Sequence, residues 1–264
     1  MNLHLFTTDS SALELFDLLP QDTHPVAVIV PGNRIKSAKV AKLQQVAINS
    51  GIPCFVHERG KTLSDELPPA SAAISWFYSQ IFGPDDLGTY DLGILNMHGG
   101  AIPEYRGANV LQWAIINGED EIGVTWHGLV EEVDAGPIFA ESRIPIPPAA
   151  TATELREAIV VEGLRLFPEA WRRYCAGGDP LRYPDRAAGR VWPQRRPDDG
   201  CIKQGWPEKR LRDLVRALPP PWPPAFIEGH EGRFFVSAVE RFPVEDGISY
   251  RTAEGHDVYL RPVS

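Results

Sequence analysis

The sequence is poor in cysteine and contains three of these residues, Cys54, Cys175 and Cys201, in 264 positions. They lie far apart, their number is odd, and their spacing fits no zinc-binding pattern. We therefore expect free thiols in a reducing compartment. No apolar run approaches the roughly 20 residues that a membrane span needs, and the amino-terminal residues lack the basic and apolar regions of a secretion signal. These absences predict a cytoplasmic protein with no membrane contact.

The chain also lacks an excess of basic residues. It has 26 Lys and Arg against 35 Asp and Glu, which gives a formal net charge of −9. Proteins that bind nucleic acids usually carry a basic footprint, so this balance argues against a tRNA substrate. A basic strip in the C-terminal part would support one, and its candidate members are Arg190, Arg195, Arg196, Lys203, Lys209, Arg210 and Arg212. A G-x-G-x-x-G fingerprint is missing as well, which argues against a dinucleotide-binding dehydrogenase.

Apolar runs alternate with helix-like segments through the first two thirds of the chain. Residues 26–30 form a continuous β-branched run, typical of a strand that is buried on both faces, and residues 37–50 follow as a helix. This alternation predicts an α/β fold with a doubly wound, mostly parallel, Rossmann-like sheet. Further strands are predicted at 3–7, 53–57, 92–95, 123–127 and 139–146, one more begins at 72, and further helices are predicted at 10–19, 107–117, 153–176 and 210–218.

The composition changes after residue 177, where proline, arginine and glycine become frequent. Such a segment is typical of a domain boundary, which we place between residues 180 and 190. Residues 1–182 are then the sheet domain. Residues 190–264 form a small C-terminal subdomain, and short strands predicted at 233–239 and 258–263 make it β-rich and OB-like.

Residues 93–107 change abruptly from apolar to polar and glycine-rich. The apolar start predicts a buried strand, and open α/β sheets bind ligands where such strands end. Asn96 and His98 are two positions apart, so their side chains share a face in extended backbone. The amide can donate to a developing oxyanion, and the imidazole is a base near neutral pH. Gly99 and Gly100 leave the backbone bare for a flat ligand. A structural histidine beside a glycine turn is the alternative interpretation.

A second polar turn follows the predicted strand at 123–127 and contains Asp134. An aspartate at such a turn can fold back towards a histidine on a neighbouring strand and fix its tautomer. His127, on the strand itself, faces either the site or the core. A metal site built from His98, His127 and Asp134 is the structural rival to this arrangement.

Three separated segments, residues 96–98, 102–107 and 133–136, together resemble the folate-dependent formyltransferase family. This family includes methionyl-tRNA formyltransferase and the sugar N-formyltransferases, and the likeness is greatest to the domain that formylates a UDP-linked amino-arabinose. The resemblance implies that Asn96, His98 and Asp134 form a catalytic triad. Gly100 departs from the commonest pattern, in which serine or a proline-containing variant stands at that position, and this leaves the shape of the loop open.

The resemblance also implies a binding site for 10-formyltetrahydrofolate, with no metal. The segment after the strand at residue 72 would border the pterin largely through its backbone, although plain core packing is the alternative for its aromatic residues. Arg106 either anchors an anionic group of the substrate or ties its loop by a salt bridge. The cofactor residues implied are Phe77, Tyr78, Ser79, Gln80, Ile81 and Val133, and the substrate residues are Gly99, Gly100, Tyr105, Arg106 and His127.

Transfer of a formyl group to the primary amine of a small acceptor is therefore the expected activity. The acidic chain favours a nucleotide-linked amino sugar as the acceptor. Methionyl-tRNA, an amino acid and a carrier-bound intermediate of secondary metabolism are the alternative acceptors, and a homodimer is compatible with the resemblance. A folate- or nucleotide-binding module without activity is the alternative from another class.

Overall fold

The computed structural model describes residues 1–61, 63, 67–230 and 232–263. The chain divides into two compact units that are interleaved in the sequence. The first unit comprises residues 1–106, 123–142 and 160–190, and the second comprises 107–122, 143–159 and 191–264. The division of the sequence into domains at 1–182 and 190–264 stays a prediction, and its positions 231 and 264 lie outside the described residues.

A seven-stranded sheet carries the predicted strands. Its order is β3-β2-β1-β4-β5-β7-β8, and β1 to β5 run parallel while β7 runs antiparallel to β5. The predicted α/β fold with a mostly parallel Rossmann-like sheet is thus confirmed. The strands are β1 (Asn2–Thr7), β2 (His24–Pro31), β3 (Cys54–His57), β4 (Ala72–Trp76), β5 (Ile94–His98), β6 (Arg106–Gly107), β7 (Glu121–Gly128), β8 (Ile138–Pro145) and β9 (Val191–Trp192), of which β6 and β9 pair apart from the main sheet.

The core of the first unit lies on both faces of this sheet. Alternating residues of β1 point to opposite faces, yet Leu5 and Phe6 are both fully buried, as expected of a strand covered on two sides. The indole Nε1 of Trp126 donates to the carbonyl of Gly163 at 2.8 Å. A Cβ at Gly163 would lie 3.0 Å from the Trp76 ring, so the helix that contains this glycine can approach the two tryptophans closely.

Four of the five α-helices in the described residues were predicted from the sequence, with shifted ends, and the short second one was not. The five are α1 (Ala38–Asn49), α2 (Pro84–Leu87), α3 (Val110–Asn117), α4 (Ala152–Cys175) and α5 (Glu208–Arg216). The segment predicted as a helix from residue 10 is a 3₁₀ helix, Ser10–Leu18, capped by Asp9. Helix α3 begins at Val110 rather than at residue 107, because Asn109 has a left-handed backbone with φ of 53°. No helix in the described part of the chain is long and apolar enough to cross a membrane.

The C-terminal part of the second unit is β-rich, as expected. Strands β10 (Ala225–Gly229), β11 (Gly232–Glu240), β12 (Ile248–Arg251) and β13 (Asp257–Pro262) form an antiparallel sheet of order β10-β11-β13-β12. Helix α5 packs on β11 and buries Leu211 and Leu214. Within the described residues this sheet has four strands, whereas an OB-fold has five.

Candidate active site

Two loops leave the sheet side by side at the carboxyl ends of β4 and β5. These strands are parallel neighbours in which Trp76 pairs with Met97, so the residues after Trp76 and those after His98 begin at the same edge. The first loop contains residues 77–83 and the second contains residues 99–105. Ligands of open α/β sheets bind at this edge, which brings the two segments singled out in the sequence to one place.

Strand β5 presents Asn96 and His98 on one face, and β7 adds His127 to it. Asn96 is directly opposite His127, and His98 is opposite Thr125. Opposite residues of an antiparallel pair share a face, which explains the hydrogen-bond distance of 3.0 Å between Asn96 Nδ2 and His127 Nε2. The rings of His98 and His127 lie 6.1 Å apart, edge to face. The sequence predicted that Asn96 and His98 share a face of the strand, but it left open whether His127 faces the site or the core.

The turn after β7 brings Asp134 to these two histidines. One carboxylate oxygen lies 3.6 Å from His98 Nδ1, and the other lies 3.4 Å from His127 Nε2. All three side chains are nearly buried, with exposed fractions of 8%, 0% and 11% for His98, His127 and Asp134. The fold-back of Asp134 expected from the turn is thus present.

Backbone carbonyls, rather than Asp134, fix the tautomers of the two imidazoles. His98 Nε2 lies 2.6 Å from the carbonyl oxygen of Tyr105, and His127 Nδ1 lies 3.0 Å from that of Gly128. Because a carbonyl oxygen only accepts, we assign the hydrogen to these two nitrogens. His98 Nδ1, which faces Asp134, is then the nitrogen that gains and loses a proton. His127 Nε2 accepts an N–H from the Asn96 amide.

Arg106 is buried and ion-paired. Its exposed fraction is 6%, and its Nη1 donates to Glu132 Oε1 at 2.7 Å. The sequence left two roles for this arginine, an anchor for an anionic group or a salt bridge that ties its loop. The structure contains the salt bridge, and its partner Glu132 escaped the sequence analysis because no local pattern marks it.

The residues expected to border the folate follow β4 directly. Phe77 has a left-handed backbone with φ of 46°, which turns the chain sharply as it leaves the sheet. The Tyr78 hydroxyl lies 2.9 Å from His57 Nδ1, and burial raises the pKa of this phenol well above its ordinary value. Ile81 and Val133, on different loops, are 84% and 40% exposed. Exposed apolar side chains of this kind are typical contacts for a flat ring, while Ser79 is exposed and Gln80 is half-buried.

A cavity of about 330 Å³ opens beside the same segment. Gln80 and Ile81 contribute to its wall, together with Arg59 and Lys61 after β3. In the described part of the chain the wall does not include Asn96, His98 or Asp134. The chemistry inferred from Asn96, His98 and Asp134 therefore lies outside this cavity.

Residues 181–190 pack on the loop that follows His98, a function that the sequence did not reveal. Arg182 Nη2 donates to the carbonyl of Ile102 at 2.6 Å, and its guanidinium also pairs with Glu141. A Cβ at Gly189 would lie 1.9 Å from the carbonyl oxygen of Pro103. The proline- and glycine-rich composition led us to place a domain boundary here. The close approach of Gly189 to Pro103 shows that this segment also supports the loop, and the boundary stays a prediction.

The described residues contain no group of three or more His, Cys, Asp and Glu side chains arranged to hold a metal ion. Asp134 lies near both histidines, but His98, His127 and Asp134 are not arranged as a metal site. The absence of a metal requirement stays a prediction.

Two comparisons relate the chain to known proteins. A family model described as formyl transferase matches residues 35–171. This range includes both loops together with Asn96, His98, His127 and Asp134. The resemblance inferred from the three sequence segments is thereby confirmed.

Solved structures of similar fold extend the likeness over the whole chain. An N-formyltransferase from Helicobacter canadensis, in complex with folinic acid and dTDP-3-aminofucose, has 16% sequence identity and a TM-score of 0.74, and 99% of each chain is covered. A 4-N formyltransferase from Francisella tularensis has 17% identity and a TM-score of 0.71, with 90% of this chain and 96% of that chain covered. Glycinamide ribonucleotide transformylase 1 from Symbiobacterium toebii has 19% identity and a TM-score of 0.56, with 70% of this chain and 94% of that chain covered. Identities this low establish the fold alone.

Proposed function

Because the chain belongs to the formyl transferase family, we propose that it moves the formyl group of 10-formyltetrahydrofolate to the primary amine of a nucleotide-linked amino sugar. The extent of the structural match supports this acceptor. The Helicobacter canadensis enzyme, which was solved with dTDP-3-aminofucose, matches 99% of this chain, whereas the glycinamide ribonucleotide enzyme matches 70%. The part of the chain outside the latter match favours an acceptor other than glycinamide ribonucleotide.

The reaction forms one carbon–nitrogen bond and breaks another. The acceptor amine attacks the formyl carbon, negative charge builds on the formyl oxygen, and the bond from that carbon to the folate nitrogen then breaks. We assign the second N–H of Asn96 Nδ2 to the formyl oxygen, because the first is donated to His127 Nε2 at 3.0 Å. His127 thus orients the amide. One such donor contributes about 3–4 kcal/mol to the stability of the transition state.

His98 carries the proton in this scheme. With Nε2–H donated to the Tyr105 carbonyl, Nδ1 takes a proton from the attacking amine and returns it to the departing folate nitrogen. Asp134, 3.6 Å from Nδ1, stabilises the imidazolium that exists between the two transfers. General acid–base catalysis of this kind contributes about 10²–10⁴ in rate.

We assign the remaining residues by position. Phe77, Tyr78, Ser79, Gln80, Ile81 and Val133 border the folate, since they follow β4 or precede Asp134 and include the exposed Ile81 and Val133. Gly99, Gly100 and Tyr105 border the acceptor on the second loop.

The test is direct formylation of amino sugars. The purified protein is incubated with 10-formyltetrahydrofolate and a panel of UDP-, dTDP- and GDP-amino sugars, and each product is examined by mass spectrometry for the gain of one formyl group. We expect one acceptor to react, and His98→Asn and Asp134→Asn to abolish the reaction while the variants still bind folinic acid. Folate binding without formylation of any sugar would remove this acceptor and direct the search to amino-acid and tRNA amines.

Three of the seven residues in the basic strip that would favour tRNA are engaged in local contacts. Lys209 pairs with Asp213 at 2.8 Å, and Arg212 pairs with Glu208 at 2.6 Å. Desolvation lowers the pKa of the Arg195 guanidinium, which lies over the Trp113 ring. Cations neutralised or buried in this way release few counterions from a nucleic acid. We accordingly favour a small acceptor. The cytoplasmic location of the protein and its assembly into a homodimer stay predictions.

A further inference from the structure

We propose that Arg106 and Glu132 act as a positioning pair, which holds Asp134 against the histidines and so controls the turnover rate without contacting either substrate. The proposal rests on the proposed function and assigns the buried arginine a role other than binding an anionic group of the acceptor.

The first step in the argument is the place of Arg106 in its loop. It follows Tyr105, whose carbonyl accepts the His98 Nε2–H at 2.6 Å. The backbone N–H of Arg106 donates to the carbonyl of Arg190 at 3.1 Å. Its backbone is therefore fixed next to the group that orients His98, and a shift of Arg106 is transmitted to the imidazole through one peptide unit.

The second step is the place of Glu132 in the turn that contains Asp134. Glu132 precedes Asp134 by two residues, and its carbonyl accepts the N–H of Ala135 at 3.3 Å. Asp134 itself has a left-handed backbone, with φ of 47°. Aspartate adopts this conformation more readily than most residues with a side chain, but it still benefits from contacts that hold the turn. The side chains of Glu131, Glu132 and Val133 are exposed, so this part of the turn has little packing of its own.

The third step is the strength of the bond between the two loops. Arg106 is 6% exposed, and its Nε is buried without a hydrogen-bond partner in the described part of the chain. A buried guanidinium is strongly disfavoured without a counter-charge, and Glu132 Oε1 at 2.7 Å supplies it. The pair thus joins the peptide next to the His98 acceptor to the turn that carries Asp134.

Four variants separate this role from its alternatives. They are Glu132→Gln, Arg106→Gln, the double variant, and the control Arg186→Gln. Arg186 lies 4.0 Å from the other oxygen of Glu132 but is 59% exposed, so its removal tests a surface charge alone. We expect each single variant of the pair to lower kcat about 10- to 100-fold. The double variant should be no slower than the worse single one, and the control should match the wild type.

Two patterns of rates would overturn the proposal. If Arg106 binds the acceptor, Arg106→Gln raises the KM for the amino sugar while Glu132→Gln leaves kcat unchanged. If only the long-range charge matters, the two single variants change kcat in opposite directions and the double variant recovers the wild-type rate. A thermal melt shows whether Arg106→Gln folds. If it does not, the kcat of Glu132→Gln tests the proposal, because the side chain of Glu132 is half-exposed and its replacement disturbs the fold less.

A measurement without substrate distinguishes failure of this inference from failure of the proposed function. The ring signals of His98 and His127 in ¹⁵N-edited NMR spectra should move in the same direction in Arg106→Gln and Glu132→Gln and stay in place in Arg186→Gln. Unchanged ring signals in the pair variants refute the positioning role. A wild type that formylates no amino sugar refutes only the acceptor.

Discussion

Replacement of Gly189 by alanine tests whether residues 181–190 support the active-site loop. Gly189 has φ of +76°, and an added Cβ would lie 1.9 Å from the carbonyl oxygen of Pro103 and 2.9 Å from the N of Glu104. All of these atoms belong to the backbone, so no side-chain rotation relieves the contact. A separation of at least 3.0 Å, below which real Cβ contacts are essentially absent, requires the loop to move by about 1.1 Å.

Two effects of different size follow from this geometry. Alanine in the left-handed region costs about 1–2 kcal/mol of stability wherever it occurs. The displacement of the loop is additional and reaches Tyr105, whose carbonyl orients His98 through a bond of 2.6 Å. A misplacement of about 1 Å at a catalytic group costs about 100-fold in rate. We therefore expect Gly189→Ala to lose stability and to lower kcat by about two orders of magnitude.

Gly177→Ala is the matched control. Gly177 has φ of +82°, and nothing lies within 4 Å of the added Cβ, so it carries the same conformational cost without the clash. Urea unfolding gives the stability of both variants, and steady-state kinetics with the identified acceptor give kcat. If Gly189→Ala resembles Gly177→Ala in both measurements, the segment has no supporting function and the reasoning is refuted.

Three further predictions concern separate parts of the molecule. Asn96→Ala should lower kcat by about 10²–10³, the usual cost of losing one oxyanion donor, with KM for both substrates little changed; a KM effect alone in steady-state kinetics would contradict the role. Asp86→Ala removes the carboxylate that accepts the N–H of Gly83 at 2.9 Å, so it should lower the free energy of unfolding in urea by about 0.5–2 kcal/mol and raise the Kd for folinic acid. An unaltered Kd would show that this hydrogen bond does not support the folate site. The hydrogen bond from His256, and then that from Arg212, lowers the pKa of Glu208, and a carboxyl group with a lowered folded pKa stabilises the protein above its unfolded pKa and loses that contribution as the pH falls. Glu208→Gln should therefore lower the free energy of unfolding by about 0.2–1 kcal/mol at pH 7 and by less in acid. An equal loss at both pH values in urea unfolding would show that the charge of Glu208 is not responsible.

The amino-acid sequence predicted the α/β sheet because strand and helix patterns are local. The β-branched run at residues 26–30 and the helix predicted at 37–50 can each be recognised within a few residues. Helix ends were less certain, since the start of α3 depends on the left-handed backbone of Asn109, which no neighbouring residue dictates. The strands β10 and β12 were not predicted from the sequence, and each pairs with a neighbouring strand in the folded sheet.

The candidate site divides in the same way. Asn96 and His98 could be placed on one face from their spacing alone, because the period of a strand is fixed by its backbone. Asp134 was found from a turn pattern and a family likeness. Glu132 could not be found, since its importance comes from a contact with a buried arginine 26 positions earlier in the chain.

The sequence by itself thus determined the sheet, the polar edge at Asn96 and His98, and the family to which the chain belongs. Only the tertiary structure decided which carbonyls fix the histidine tautomers, which carboxylate neutralises Arg106, and that Gly189 lies against the loop after His98. The physical reason is the range of the forces involved. Backbone periodicity acts between neighbours in the sequence, whereas ion pairs, hydrogen bonds and steric exclusion act between atoms that become neighbours only when the chain folds.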